Sequence, residues 1–204
     1  MNDDIFLKPP VHGRVANWLG PQMVERLIEF AQSQQDKFYQ TGIWNKKKGE
    51  VAVDLTVRRS RKITDLGSLR GDIQERAQAL MPKMCAQLGA TPFEPRRFEI
   101  EMAVHFDGAF FGEHRDQNPE SQTKSRLISA VYYFHHIPKS FSGGALRIYP
   151  IAGSKQSTAF VEIEPINDTL VFFPSWFPHE VLPVNCPSHR FEDSRFAINC
   201  WIHR

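Results

Sequence analysis

Apolar residues in the N-terminal half of the chain recur at the spacing of one helix face. In the segment 21–35, PQMVERLIEFAQSQQ, they stand at Met23, Leu27, Ile28 and Ala31, with polar residues between them. This spacing is typical of an amphipathic helix that turns one face to a core. We therefore predict a first helix here.

A second periodic stretch predicts a longer helix from about Leu69 to Leu88. Gly89 stands where a C-terminal cap requires a left-handed residue, and Pro82 predicts a kink within the helix. The predicted apolar stripe comprises Leu69, Ile73, Ala77, Leu80, Met84 and Leu88.

From about residue 97 the pattern changes to short β-branched and aromatic runs, punctuated by Gly, Pro, Asn, Asp and Ser. In chain order the runs are FEIEMAVHF (98–106), RLISAVYYF (126–134), ALRIYP (145–150), TAFVEIEP (158–165), DTLVFFP (168–174), HEVLPV (179–184) and RFAINCW (195–201). With the polar segment 112–118 they make roughly eight strands, the number of a double-sheet jelly roll. We predict an α+β fold: a double-stranded β-helix (jelly roll, cupin-like) with the N-terminal helices packed on one sheet.

A chain of 204 residues without an internal repeat or a low-complexity linker is expected to form one domain. Residues 1–96 would form a helical support region with a basic loop, and residues 97–204 the β-rich core. The basic loop contains NKKK at 45–48 and RRSRK at 58–62, around a strand candidate, VAVDLTV, at 51–57.

Composition and charge disfavour several classes of protein. The formal net charge is only +2, so no bulk field calls for a nucleic-acid or membrane partner. No apolar run approaches the roughly 18 residues of a membrane span, and the segment MNDDIFLKPP lacks the basic start and apolar core of a secretory signal. The three cysteines are scattered, which argues against a disulfide framework and a thiolate zinc site. We expect a reducing, cytoplasmic setting.

The segment GEHRDQN, residues 112–118, offers two metal ligands. If it is a strand, His114 and Asp116 project to one face, while Arg115 points to the other. The best third ligand is His179, which begins the run HEVLPV. Two histidines and one carboxylate form the facial triad that holds Fe(II) in non-haem oxygenases, with positions left open for cosubstrate and oxygen.

The other histidines are poorer ligand candidates. An HxD tripeptide alone often arises by chance, so the site depends on further evidence. His135 and His136 are adjacent, point to opposite faces of a strand and cannot both chelate; we expect them to be solvated or to face a loop. Surface positions are expected for His12, His189 and His203.

An iron oxygenase of this kind needs a two-electron donor. If the donor is 2-oxoglutarate, its far carboxylate requires a buried cation, for which a forked guanidinium is well suited. In RFAINCW, Arg195 shares a strand face with Ala197, Asn199 and Trp201, which leaves room for a bound acid. Arg195 at a strand edge pointing to water remains the alternative, and Arg190 is a rival in a polar loop.

The C-terminal half resembles the Fe(II)- and 2-oxoglutarate-dependent dioxygenases, in particular the oxygen-sensing type of the prolyl-hydroxylase branch. The resemblance covers roughly residues 97–204, and the N-terminal half is similar only in outline. The similar blocks, in the order of the family, are HRD (114–116), RLISAVYYF (126–134), SGGALRIYP (142–150), FVEIEP (160–165), DTLVFF (168–173), PHEVLPV (178–184) and RFAINCW (195–201).

The resemblance implies a role for each matching residue. His114, Asp116 and His179 would bind iron. Arg195 and Tyr133 would bind the far carboxylate of 2-oxoglutarate, Leu146 would line the cosubstrate pocket, and Trp201 the substrate side. The implied reaction is hydroxylation of an unactivated C–H bond by O2, with succinate and CO2 as coproducts and ascorbate as reductant. A carboxylate at Asp116 favours hydroxylation, since related halogenases lack it.

The chain departs from the family pattern at three places. His105, in HFDG, stands where the family has a Tyr, and we expect it to contact substrate. The connection VNCPSHRFEDS, residues 184–194, is longer than in the family and should form a protruding loop. No clear copy of the family's mobile substrate-covering loop is visible, and the basic segment 44–62 occupies about the corresponding position in the chain.

The substrate stays open at this point. A prolyl residue in a peptide or protein is the first expectation, and a free amino acid or other small molecule is the alternative. The basic runs raise oxidative demethylation of nucleic acid, although charge runs are usually solvated surface. A non-catalytic jelly-roll binding module is disfavoured because the ligands and Arg195 are all present. The sequence does not indicate an oligomeric state.

Overall fold

The computed structural model describes residues 9–45, 50–151 and 159–204. The three lysines of NKKK lie outside these residues. No helix in the described part of the chain combines the length and the apolarity that crossing a lipid bilayer requires.

Both predicted helices are present, as α1 (Pro21–Ser33) and α2 (Leu69–Leu88). The buried face of α1 differs from the prediction at one position, because Val24 is buried and Met23 only packs against the core. In α2 the buried stripe passes through Met81 instead of Leu80, and the helix continues through Pro82. Gly89 caps α2 in the left-handed conformation, with φ of 64°.

Sixteen strands lie in the described residues, most of them short. They are β1 (Gly13–Ala16), β2 (Tyr39–Gln40), β3 (Ile43–Asn45), β4 (Glu50–Ala52), β5 (Arg58–Arg59), β6 (Arg61–Ile63), β7 (Arg97–His105), β8 (Phe110–His114), β9 (Arg126–Phe134), β10 (Ser142–Gly143), β11 (Leu146–Ile148), β12 (Val161–Ile163), β13 (Thr169–Pro174), β14 (His179–Val181), β15 (Val184–Asn185) and β16 (Arg195–His203).

Two antiparallel sheets dominate the fold. The large sheet has the order β1-β13-β9-β16-β7-β6-β2, and the small sheet has the order β12-β11-β14-β8-β5. Two further pairs, β10-β15 and β3-β4, form separate two-stranded sheets. The two helices and the antiparallel sheets confirm the predicted α+β class.

The large sheet separates two apolar clusters. Alternate residues of β16, such as Phe196 and Ile198, pack with both helices on its outer face. On its inner face Tyr133 and Ala197 pack against Leu146 and other residues of the small sheet. Full burial of one such apolar side chain stabilises a fold by roughly 1.5–3 kcal/mol. The outer cluster therefore anchors the helices, as predicted, and the inner face is left to border a site between the sheets.

The basic segment 58–62 is built into both sheets. Arg58 and Arg59 form β5, which pairs with β8 of the small sheet, while β6 pairs with β7 of the large sheet. The strand predicted over 51–57 is wrong beyond Ala52, because Asp54 closes a turn there. Its carboxylate accepts a hydrogen bond from the Thr56 backbone N–H at 2.9 Å, a turn that interrupts an extended strand.

Candidate metal centre and cosubstrate pocket

His114, Asp116 and His179 lie together between the two sheets. One ligand atom from each residue lies within 4.8 Å of the others. The Nε2 atoms of His179 and His114 are 3.4 Å and 3.6 Å from the two carboxylate oxygens of Asp116. The structure thus brings together the three predicted ligands.

Strand pairing places the two histidines side by side. His114 ends β8 and His179 begins β14, and the two residues are register partners in this antiparallel pair. Their ring centroids are 4.2 Å apart. Because paired residues of neighbouring strands project to the same side, both imidazoles face the inner face of the large sheet.

Asp116 reaches the site by a different route from the one that the sequence predicts. β8 ends at His114, so no strand aligns Asp116 with it. Two side chains from β9 hold the aspartate instead: the Ser129 hydroxyl donates to Oδ2 at 2.7 Å, and Arg126 donates to the backbone carbonyl at 3.2 Å. The prediction that Asp116 lies close to His114 was correct, but the argument that one strand aligns the two residues was wrong.

Backbone carbonyls fix the protonation of both imidazoles. Nδ1 of His114 lies 2.9 Å from the carbonyl of Gly112, and Nδ1 of His179 lies 2.9 Å from that of Phe177. Because a carbonyl only accepts, each Nδ1 carries the hydrogen and each Nε2 presents its lone pair. Orientation of a ligating histidine through its second nitrogen is the usual arrangement at metal sites. The donor set therefore fits a divalent first-row metal such as Fe(II).

Charges and burial within the triad favour the ligating forms of Asp116 and His114. Burial raises the pKa of Asp116, but the neighbouring imidazoles of His179 and His114 outweigh the effect of burial and hold the pKa well below its usual range. Burial and the nearby His179 lower the pKa of His114 to about 4. Asp116 is thus a carboxylate and His114 a neutral imidazole at neutral pH.

Arg195 is buried at the other end of the inner face, and only 1% of it is exposed. Its Nε donates to the carbonyl of Gly144 at 2.8 Å, and its guanidinium lies 4.9 Å from the centre of the Tyr133 ring. Among the described residues, no carboxylate lies within ion-pair distance of Arg195. A buried charge without an ionic partner is costly, so this pocket is suited to an anion.

Two unpaired polar atoms accompany the cation. The Tyr133 hydroxyl and Nε2 of His105 are buried and form no hydrogen bond to any residue that the structure describes. Burial raises the pKa of the Tyr133 hydroxyl, which therefore remains a proton donor. Leu146, 2% exposed, packs in the same apolar cluster as Tyr133. The residues of this pocket fit a dicarboxylic acid whose far carboxylate reaches Arg195.

Trp201 lies towards the metal end of the inner face. It is half-buried, pairs with Ser129 across the strands, and stacks beneath the Arg126 guanidinium at 4.1 Å. Arg126 also donates to Glu99 at 2.7 Å. Trp201 and Arg126 thus border the triad on the side away from Arg195.

The structure corrects three expectations about other histidines. His203 is buried, because β16 extends to it, and its imidazole lies 2.9 Å from the Ser125 hydroxyl. His135 is also buried, with its ring edge-on to Phe141 at 5.4 Å. His136 and His189 are exposed, as expected. His12 is half-buried rather than at the surface.

The rival arginine is clearly separate from the site. Arg190 is exposed and donates to Glu192 at 2.8 Å, so its charge is matched at the surface. Of the two arginines considered from the sequence, only Arg195 is buried between the sheets.

Several residues near the triad carry no recognisable sequence signal. The Phe111 ring stacks on His114 at 3.5 Å, and the Arg58 guanidinium lies 4.3 Å above the same phenyl ring. Glu101, 3% exposed on the inner face, accepts from Lys62 at 2.6 Å. Arg58 and Lys62 stand in the basic run RRSRK, which shows that part of this run belongs to the walls of the site and not to a solvated surface.

The sequence profile of the 2OG-Fe(II) oxygenase superfamily matches residues 100–203 of the chain. An uncharacterized PKHD-type hydroxylase from Synechocystis sp. is 35% identical over 207 residues. The alignment covers 100% of this chain and 66% of the relative, so the chain spans just under two thirds of the relative's length.

Two solved structures share the fold. A prolyl-4-hydroxylase from Pseudomonas putida superposes with a TM-score of 0.67 at 22% identity, covering 96% of this chain and 94% of the other. A prolyl hydroxylase from Trichoplax adhaerens, solved with a peptide fragment of the hypoxia inducible factor oxygen degradation domain, gives a TM-score of 0.69 at 20% identity, covering 95% and 83%. At these identities the likeness concerns the fold.

Proposed function

The chain belongs to the 2OG-Fe(II) oxygenase superfamily, and we propose that it is a dioxygenase that uses Fe(II) and 2-oxoglutarate to hydroxylate an unactivated C–H bond. The proposed substrate is a prolyl residue in a peptide or protein, and the two sheets would form the double-stranded β-helix of the family. One observation carries the proposal: a histidine–aspartate–histidine cluster and a buried arginine without an ionic partner among the described residues face the same space between the sheets.

Each member of the cluster has a defined task. His114 and His179 would bind the metal through Nε2, since their Nδ1 atoms are engaged by backbone carbonyls. Asp116 would supply the charged ligand, held in place by Ser129. Bound iron would supply the activation of O2, coupled to the oxidative decarboxylation of 2-oxoglutarate to succinate and CO2. With three protein ligands the site keeps positions open for the cosubstrate and oxygen.

The inner face would orient the cosubstrate. Arg195 would bind the far carboxylate with paired N–H groups, and the Tyr133 hydroxyl, which has no partner among the described residues, would donate a further hydrogen bond. Leu146 and Ala197 would pack against the methylene groups between the two acid ends. These contacts would exclude water from the pocket and direct the keto acid end towards the triad.

The proposed substrate side is the surface around Trp201 and Arg126. A half-buried indole covered by a guanidinium offers an apolar wall for a pyrrolidine ring and N–H donors for peptide carbonyl groups. The likeness in fold to prolyl hydroxylases supports a prolyl substrate over other C–H donors.

The substrate can be identified by mass. The protein would be incubated with Fe(II), 2-oxoglutarate, ascorbate and a proline-containing peptide library, and each product examined for the gain of one oxygen atom. We expect the gain on proline with wild-type protein and with Arg190→Met, and its loss with Arg195→Met. Oxygen gain only on residues other than proline would overturn the prolyl assignment, and equal oxidation by Arg195→Met would overturn the role of Arg195.

A further inference from the structure

His105 is buried at the cosubstrate end of the inner face, directly beside Arg195. We infer that this histidine is a third donor in the cosubstrate pocket: Arg195 holds its proton on Nε2, from which it donates a hydrogen bond to the far carboxylate of 2-oxoglutarate. The inference rests on the proposed function. It assigns His105 to the cosubstrate, whereas the sequence predicts a substrate contact.

Strand pairing determines the position of the imidazole. His105 on β7 and Arg195 on β16 are register partners, so both side chains project from the inner face of the large sheet. Arg195 also lies over Tyr133, which projects from the neighbouring β9. The three residues thus come from three adjacent strands, with Tyr133 opposite Ala197, two positions along β16 from Arg195, and their polar groups share one buried space.

The contact between the two side chains fixes the tautomer. Nδ1 of His105 lies 3.2 Å from the Nη1 atom of Arg195. A guanidinium has only donors, so Nδ1 must accept and carries no hydrogen. In a neutral imidazole the hydrogen is then on Nε2. This Nε2–H group is buried and has no acceptor among the described residues.

Electrostatics keep the imidazole neutral. Burial, together with the charges of Arg195 and Arg58, lowers the pKa of His105 well below its ordinary value. A neutral histidine leaves Arg195 as the cation of the pocket and still offers one hydrogen bond. An unsatisfied buried donor is unfavourable in the empty protein and is relieved when a carboxylate oxygen enters.

The three donors are complementary to one carboxylate. Arg195 supplies guanidinium hydrogens, Tyr133 supplies a hydroxyl, and His105 supplies Nε2–H, so both oxygens of the acid can be saturated. A donor to an ionised acceptor is worth more than a neutral pair. Loss of the His105 donor should therefore weaken 2-oxoglutarate binding by about 10- to 100-fold.

The tautomer can be tested without any substitution. Nitrogen-15 NMR of histidine-labelled apoprotein should show His105 neutral at pH 7 with its hydrogen on Nε2. With Zn(II) as a redox-inert metal, 2-oxoglutarate should shift the Nε2–H resonance. The control is 2-oxopentanoate, which has a methyl group in place of the far carboxylate and should leave that resonance close to its position with metal alone. A hydrogen on Nδ1 would overturn the inference.

Substitutions of His105 test the proposed hydrogen bond between its Nε2–H group and the far carboxylate of 2-oxoglutarate. Dissociation constants for 2-oxoglutarate and 2-oxopentanoate would be measured anaerobically with Fe(II), from the charge-transfer absorption. We expect His105→Phe to weaken 2-oxoglutarate binding about 10- to 100-fold and to leave 2-oxopentanoate binding within about twofold. His105→Gln, whose amide can donate from a similar distance, should recover part of the loss.

His135→Phe is the matched control, because His135 is also buried with an Nε2 that has no partner among the described residues, while its ring packs edge-on to Phe141. It should bind both acids like wild type. Equal weakening of both acids by His105→Phe would indicate a structural role and overturn the inference, as would unchanged 2-oxoglutarate binding. Failure of the proposed function is a separate result, since wild-type protein would then show no charge-transfer absorption with either acid.

Discussion

Ser129 donates its hydroxyl hydrogen to Oδ2 of Asp116 over 2.7 Å and so fixes the one candidate metal ligand that no strand holds. Ser129 is 1% exposed and stands on β9 of the large sheet, whereas Asp116 follows β8 of the small sheet. The bond therefore joins the two layers at the metal centre.

Removal of this hydroxyl should loosen the metal site. In Ser129→Ala the carboxylate loses its orienting donor, and groups that orient ligands typically contribute about 10- to 100-fold to metal affinity. We expect a decrease of about 10-fold or more in Mn(II) or Fe(II) affinity, measured by anaerobic titration. Ser125→Ala, which removes a hydroxyl bonded to His203, should bind metal normally. Equal affinities in the two variants would contradict the orienting role.

Gly144 should be essential for the position of Arg195. A Cβ at this residue would lie 2.6 Å from Cδ of Arg195, and the backbone φ of +70° disfavours any L side chain. Gly144→Ala should lose about 1–2 kcal/mol of stability from strain and should also weaken 2-oxoglutarate binding.

Gly67→Ala is the control for backbone strain alone. Gly67 has φ of +53°, but a Cβ added there would meet no atom of the described residues within 4 Å. We expect a similar loss of stability, measured by chemical denaturation, with normal 2-oxoglutarate affinity. Normal affinity in Gly144→Ala as well would show that Arg195 does not depend on this close approach.

Substitutions of the adjacent residues Tyr132 and Tyr133 should have separate effects, one on the stability of the fold and the other on 2-oxoglutarate binding. The hydroxyl of Tyr132 faces the outer side and donates to Asp168 at 2.8 Å, whereas the hydroxyl of Tyr133 faces the inner side without a partner among the described residues. Tyr132→Phe should lower the free energy of unfolding by about 1.5–3 kcal/mol, the usual value for a bond to a charged group, and leave 2-oxoglutarate affinity unchanged.

Tyr133→Phe should weaken 2-oxoglutarate binding and leave the stability of the fold almost unchanged. It removes no hydrogen bond that the described residues make in the empty protein, so the free energy of unfolding should hardly change, but 2-oxoglutarate should bind more weakly. Thermal unfolding with and without 2-oxoglutarate and Fe(II) measures both effects in one experiment. A destabilised Tyr133→Phe variant with unaltered binding would exclude the hydroxyl from the cosubstrate pocket.

The helical spacing of apolar residues was sufficient to predict both helices, because α1 and α2 each bury one apolar stripe against a single face of the large sheet. The alternation of β16 likewise placed Arg195 and Trp201 on one face. A turn made the strand prediction over 51–57 fail. The β-propensity of this segment favoured a strand beyond Ala52, but the carboxylate of Asp54 forms a turn that ends it. Local preference for extended backbone was outweighed there by a side-chain hydrogen bond.

At the site, the ligands were predictable but their supports were not. Motif order indicated His114, Asp116 and His179, which are far apart in the chain and close in space. The residues that orient the site, such as Ser129, act through long-range contacts between strands that no local pattern encodes. The burial of His203 was missed for a related reason, since its location depends on how far β16 extends beside β7 and β9.

The central claim is that the triad binds Fe(II) together with 2-oxoglutarate, and anaerobic absorption spectroscopy tests it most directly. Wild-type protein given both should develop a visible charge-transfer band, which neither produces alone. His189→Ala, at an exposed histidine, should retain the band, and His179→Ala should lose it. Absence of the band in folded wild-type protein, or an undiminished band in His179→Ala, would contradict the account.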